Sequence, residues 1–312
     1  MNFPKRITVC EVSTRDGFQT LPPPTMAEKL TILDLIVKSG IHEIEVGSFV
    51  DKGSNLMCGM ESTPEVFRVM ERKPGVVYRA LLQTPTAMKM AVDAGCEKIK
   101  LNISGSERHY QLMRNGASIG EGMKGFREIG ALGCQHQVKI LGSISLAFVS
   151  PYDDGMIPSE KIKEIIRAFI DSGATEISMN DTAGMSAPNQ IFNRFLEMKV
   201  EFPEIQVWAF HAHNTRGTGL ANTLAAMQAG VDRIDSSLAG IGGCPVFKKA
   251  SGNISTEDLL YMLQTMGIDT GVDLERAIIA GEYISSLVDP STVDSYMQRL
   301  QKIKRERYGS VE

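Results

Sequence analysis

Ser39-Gly40-Ile41-His42-Glu43-Ile44-Glu45-Val46 sets out a phrase that recurs along the chain: a helix closes on a glycine, a few residues follow, and an apolar strand begins. It returns as Ala94-Gly95 before Lys98-Ile99-Lys100-Leu101, as Ser172-Gly173 before Glu176-Ile177-Ser178-Met179, and as Ala229-Gly230 before Arg233-Ile234-Asp235-Ser236. Glycine suits each of these places because a helix C-terminus favours a left-handed residue. Further strands read at 7–12, 77–82 and 138–146, and at 205–209 running into Phe210-His211-Ala212-His213. Helices fit between them, at 26–38, 86–94, 159–171 and 217–229. Eight βα units in about 270 residues predict an α/β fold of the TIM (β/α)8 barrel type. A doubly wound open sheet is the second choice, but no glycine-rich phosphate fingerprint follows the first strand. Beyond Gly271 only helices are predicted, at 273–288 and 292–307. The expected organisation is a catalytic barrel over 1–270 and extra C-terminal helices over 271–312 packed on it.

The chain has 312 residues, 22% of them charged, and a formal net charge of -4, so it offers no basic field for nucleic acid or an anionic membrane. Neither is expected as a partner. Its five cysteines, Cys10, Cys58, Cys96, Cys134 and Cys244, are odd in number and widely spaced, which fits free thiols in a reducing compartment. Cys10, Cys58, Cys96 and Cys134 read as packing residues. The first residues run straight into a strand without an apolar stretch, so a cytoplasmic protein is expected.

Residues i and i+2 of a strand share a face, so His211 and His213 project together at a strand end. In a TIM barrel the C-terminal strand ends share one mouth. That rule gathers Arg15-Asp16-Gly17-Phe18-Gln19 after the first strand, Glu45 on the second, Asn180-Asp181-Thr182 on the sixth, and the loops around Cys244 and Asn253 after the eighth. Asp16, His211, His213 and the Asn253 amide offer two nitrogens and two oxygens to a divalent ion, with positions left for substrate or water. The oxygens favour Mg²⁺ or Mn²⁺, while the imidazoles draw toward Mn²⁺, Co²⁺ or Zn²⁺. His42, His109 and His136 lack ligand spacing and are expected to have ordinary surface or core roles.

Arg15-Asp16-Gly17-Phe18-Gln19, Glu45 with Ser48-Phe49-Val50, the His-x-His pair, Ala221-Asn222-Thr223-Leu224 and, above all, Gly242-Gly243-Cys244-Pro245 with Ala250-Ser251-Gly252-Asn253 resemble the 3-hydroxy-3-methylglutaryl-CoA lyase family. The resemblance spans nearly the whole barrel. It implies a metal-dependent carbon–carbon lyase acting on an acyl-CoA, and a homodimer. It further implies that Asp16, His211, His213 and Asn253 bind the metal, that Arg15 stabilises an enolate, and that Cys244 is a catalytic thiol on a loop. Asp16 or His211 would be the base, and Glu45 would either act directly or hold Arg15. Arg15, Gln19, Ser48, Asn180, Thr182 and Lys248 are the expected substrate contacts. Chemistry agrees with these roles, because retro-aldol cleavage of a tertiary alcohol needs a polarised hydroxyl, a base for its proton and a donor to the enolate oxygen.

Several positions depart from the family pattern. Ser13-Thr14 replaces Gly-Pro, Val46-Gly47 a threonine pair, Asn180 a glycine, and Lys248-Lys249 small or neutral loop residues. The metal and enolate set is intact, whereas the lining of the pocket is altered, so a related 3-hydroxyacyl-CoA such as citramalyl-CoA is the alternative substrate. A condensing synthase or aldolase of the same superfamily is the other alternative, although the cysteine-bearing loop differs from the synthase version. A biotin-dependent carboxyltransferase would need a lysine where Asn180 stands, and amidohydrolases carry their His-x-His on the first strand.

Overall fold

In a parallel barrel one face of each strand meets the helices and the other meets the interior, so alternation along a strand sorts its residues between two buried environments. Ile44, Ile99, Ile177 and Ile234 are fully buried and alternate with Glu43 and Glu45, Lys98 and Lys100, Glu176, and Arg233 and Asp235. The computed structural model describes residues 3–51, 59–152, 155–243 and 252–308. Eight strands, β1 Thr8–Glu11, β2 Glu43–Ser48, β3 Val77–Leu82, β4 Lys98–Ser104, β5 Lys139–Ser145, β6 Glu176–Asp181, β7 Val207–Ala212 and β8 Arg233–Ser236, pair in parallel and close into one barrel in sequential order. The TIM barrel expected from the repeat is therefore the observed fold. A register shift between Glu45 and Gly47 marks a bulge in β2 just above Glu45.

Helices α1 Met26–Lys38, α2 Thr63–Val69, α3 Pro85–Asp93, α4 Phe126–His136, α5 Ser159–Asp171, α6 Pro188–Glu201 and α7 Gly219–Gln228 surround the strands. After β8 come α8 Thr256–Thr265, α9 Leu274–Leu287 and α10 Tyr296–Tyr308. The last helix starts later than the sequence suggested, because 290–292 forms a separate 3-10 turn capped by Asp289. The Asp258 carboxylate then accepts the backbone N–H groups of Tyr296 and Met297 at 2.9 and 2.8 Å, satisfying first-turn donors of α10. Helix α9 is tied to the barrel layer by the Asp273 N–H donating to Ser39 O, and by Arg276 donating to Lys38 O. No helix among the described residues is long and apolar enough to cross a membrane.

The interior is ionic where such barrels usually stack branched apolar side chains from alternate strands. Glu43, Lys98, Glu176 and Arg233, from β2, β4, β6 and β8, form a closed ring of alternating charge: Lys98 Nζ lies 3.0 Å from Glu43 and 2.7 Å from Glu176, and Arg233 lies 2.6 Å from Glu176 and 2.8 Å from Glu43. Above the ring, Arg79 on β3 donates from Nη1 to Glu43 at 3.0 Å, from Nε to Glu45 at 2.9 Å, and from Nη2 to both oxygens of Asp235 at 2.8 Å. Lys100 Nζ completes the layer, 2.7 Å from Asp235 and 3.3 Å from Glu45. With Arg15 and Asp16 at the top, five cations face five carboxylates. Such a set is tolerable only when balanced, since removing one partner of a buried pair costs about 3–5 kcal/mol.

Two expectations for cysteine change. Cys10 and Cys96 are buried free thiols, but Cys134 is exposed on α4 and is not a packing residue. Cys10 also adjoins charge rather than an apolar core: it pairs in register with Glu43 and Asp235, and burial, with those acids also contributing, pushes its thiol pKa well up. Cys58 lies outside the described residues.

Candidate active site at the C-terminal mouth of the barrel

The chain leaving β1 makes one wide turn, Ser13–Gly17, that tucks Arg15 and Asp16 back over the barrel mouth. Glu11 pins this turn to the β8 loop: its carboxylate accepts the Ser13 N–H at 2.9 Å, the Leu238 N–H at 3.0 Å and the Thr256 hydroxyl at 2.6 Å. Glu11 was not singled out in the sequence, where an acid ending a strand looks like an ordinary polar boundary.

Asp16, His211 and His213 converge as their spacing implied. The two imidazole Nε2 atoms lie 3.1 Å apart, and Asp16 Oδ2 is 3.6 Å from the first and 3.4 Å from the second. All three side chains are buried. Burial pushes the Asp16 pKa up, but Arg15 and the two imidazoles outweigh it and hold the carboxyl well below the usual range. Asn253, joined to His213 by an antiparallel bridge, donates from Nδ2 to Asp16 Oδ2 at 2.9 Å and to Ile241 O at 3.1 Å. Its Oδ1 is buried and has no hydrogen-bond partner among the described residues. Converging lone pairs beside an unpartnered amide oxygen are what a divalent cation satisfies, so the donor set fits a metal. Gly242 makes this packing possible, since a Cβ there would come within 2.5 Å of Asn253 Nδ2.

Behind the ligands, Asp235 Oδ2 lies 3.4 Å from His211 Nδ1. Burial lowers the His211 pKa, while Asp16 and Asp235 together raise it above its ordinary value. Arg15 donates from Nε to Glu45 and from Nη1 to Asp16, and its Nη2 makes no hydrogen bond among the described residues. Burial pushes Glu45 up, but Arg15, Lys100 and Arg79 bring it down to about 2, so it is a carboxylate at any working pH.

These groups open on a cleft with a cavity volume of about 70 Å³, lined by Arg15, Asp16, Gln19, Asn180, Thr182 and the two histidines. Leu81, Gln83, Asn102, Ser104, His109, Tyr110, Met113 and Ser145 complete it. Gln19 Nε2 donates to Asp16 at 2.8 Å and to Gly243 O at 2.7 Å. Asn180 donates to Ser143 at 3.1 Å and accepts from Ser178 at 2.8 Å, and the Thr182 hydroxyl accepts the Leu146 N–H. Ser48 is buried beside its register partner Leu81 and is not among the residues that line this cleft. His109, read as ordinary, lines the cleft, with Nδ1 2.9 Å from Ser104 Oγ. Glu45 sits beneath Arg15 instead of lining the cleft, and Cys244 and Lys248 lie outside the described residues.

A closed β/α barrel with a carboxylate and two imidazoles converging at its C-terminal mouth belongs to the class of metal-binding barrel enzymes. The family model described as HMGL-like matches residues 6–284, and the chain belongs to that family. It is 33% identical over 305 residues to the mitochondrial hydroxymethylglutaryl-CoA lyase of Rattus norvegicus, covering 96% of this chain and 91% of that protein. It is 34% identical over 292 residues to the 3-hydroxy-3-isohexenylglutaryl-CoA/hydroxy-methylglutaryl-CoA lyase of Pseudomonas aeruginosa, covering 93% and 96%. Among solved structures, an HMG-CoA lyase from Acinetobacter baumannii in complex with coenzyme A and 3-methylmalate superposes with a TM-score of 0.87 at 30% identity, covering 96% of each chain.

Proposed function

We propose that this chain is a divalent-metal-dependent acyl-CoA lyase that cleaves a 3-hydroxyacyl-CoA, taking 3-hydroxy-3-methylglutaryl-CoA to acetyl-CoA and acetoacetate. The observation that carries this reading is the convergence of Asp16, His211 and His213 beside the anchored guanidinium of Arg15. A divalent ion held by Asp16, His211, His213 and Asn253, Mg²⁺ or Mn²⁺ before Co²⁺ or Zn²⁺, supplies Lewis-acid polarisation of the C3 hydroxyl when bound. Asp16 or His211 accepts the hydroxyl proton, the C2–C3 bond breaks, and its electron pair moves into the thioester carbonyl. Arg15 faces the resulting enolate oxygen with a donor already fixed by Glu45. Cys244, assigned on sequence alone, returns a proton to C2 to give acetyl-CoA. Gln19, Asn180 and Thr182 border the acyl group within the cleft, and Lys248 contributes charge from the following loop.

Barrel 1–270 is the catalytic unit in this reading and 271–312 buttresses it, in a cytoplasmic homodimer. Asn180 favours a second substrate reading, because its hydrogen-bonded amide adds volume and polarity to the cleft wall; a related thioester such as citramalyl-CoA is then cleaved by the same chemistry. Incubating the metal-loaded protein with a panel of 3-hydroxyacyl-CoA thioesters and identifying the released acids separates the two. Absence of cleavage with every thioester would overturn both.

A further inference from the structure

We infer that Arg79, a fully buried side chain beneath the barrel mouth, is a positioning residue that sets the enolate-facing arginine and a metal-facing histidine together. Its guanidinium holds Glu45 through Nε and Asp235 through Nη2, each at 2.8–2.9 Å. Glu45 in turn receives Arg15 Nε, and Asp235 faces His211 Nδ1 at 3.4 Å. One rigid fork therefore fixes the two carboxylates that orient the two arms of the site. Lys100 steadies the same pair from β4, meeting Asp235 at 2.7 Å and Glu45 at 3.3 Å. Side-chain geometry explains why arginine is required at 79: three carboxylates, Glu43 included, are met in fixed directions by a planar group with five donors, which an ammonium on a flexible stem does not reproduce. Groups behind metal ligands orient them and typically change metal affinity 10–100-fold when removed. The same layer explains the cost of an ionic interior: in place of the usual branched side chains, it transmits a fixed geometry from the closed ring upward to the mouth.

This inference rests on the assignment of Arg15 as enolate donor and His211 as metal ligand. It is tested on metal-free protein by titrating Mn²⁺, followed by electron paramagnetic resonance, alongside steady-state kinetics. Arg79→Lys should weaken Mn²⁺ binding at least ~10-fold and lower kcat at least ~10-fold with KM changed less than ~3-fold, an effect on both arms that loss of stability alone would not produce. Folded Arg79→Lys protein binding Mn²⁺ within about twofold of the parent overturns the inference. If that variant does not fold, Glu45→Gln and Asp235→Asn, which keep shape and hydrogen-bonding capacity, decide. Because both partners share Arg79, the loss of kcat in the double variant should differ from the product of the single losses by at least ~5-fold, and agreement within about twofold overturns it. A parent that binds no Mn²⁺ would instead strike the metal reading of the site itself.

Discussion

His211 Nε2 and His213 Nε2 face each other across 3.1 Å, with Asp16 Oδ2 within 3.6 Å of both. When both rings keep their proton on Nδ1, the two Nε2 lone pairs and the carboxylate converge with no donor between them, and a cation satisfies all three. One Mn²⁺ per chain should therefore bind, and His213→Ala should weaken binding by on the order of 10²-fold or more. Calorimetric titration checks this, and an unchanged affinity in His213→Ala would remove that ring from the site.

Arg15 has its Nε fixed by Glu45, so its contribution is a donor already in place when enolate charge develops. Replacing it with methionine should lower kcat by ~10²–10³-fold, about 3–4 kcal/mol, with a smaller effect on Mn²⁺ affinity. Collapse of metal binding in Arg15→Met would make the residue structural, through its contact with Asp16.

Asn180 lines the cleft and stands between Ser178 and Ser143 in a hydrogen-bonded run. In Asn180→Gly the relative kcat/KM values across 3-hydroxyacyl-CoA thioesters should shift by about tenfold or more, because a site that hydrogen-bonds its substrate discriminates strongly against analogues lacking the partner. Identical rankings in parent and variant would take Asn180 out of substrate selection.

Glu257 is buried where the Ala239 N–H, Ser255 hydroxyl and Gln298 amide meet, linking the β8 loop to α10. Burial raises its pKa to about 7, with those hydrogen bonds only partly offsetting the rise. A raised carboxyl favours the folded state while protonated, so its contribution is complete below the unfolded value near 4.5 and is lost as pH rises through about 7. Thermal melts of the parent should therefore lose up to about 3 kcal/mol between pH 4.5 and 8 that Glu257→Gln does not lose. Parallel pH profiles for the two proteins would contradict the burial of an ionisable acid there.

The barrel was legible because its strands are punctuated by capping glycines, the histidine pair because i, i+2 spacing survives in any strand, and Asp16 because the strand ends of a barrel share one mouth. Arg79, Lys100 and Asp235 were harder to read. Lys98-Ile99-Lys100 and Glu43-Ile44-Glu45 alternate charge with isoleucine, a pattern that normally marks a solvent-facing strand, and only closure of the barrel shows that both faces are buried. His109 escaped for a related reason, since its place in the cleft depends on a short helix, Glu107–Met113, folded over the mouth after β4.

If the converging donors hold the ion that polarises the substrate, cleavage depends on that ion. Exhaustively chelated protein, incubated with 3-hydroxy-3-methylglutaryl-CoA and assayed for acetoacetate and acetyl-CoA, should be inactive, and equimolar Mn²⁺ should restore equal amounts of both products. Full activity of the metal-free protein, or no cleavage after Mn²⁺ has demonstrably bound, would leave Asp16, His211 and His213 without this role.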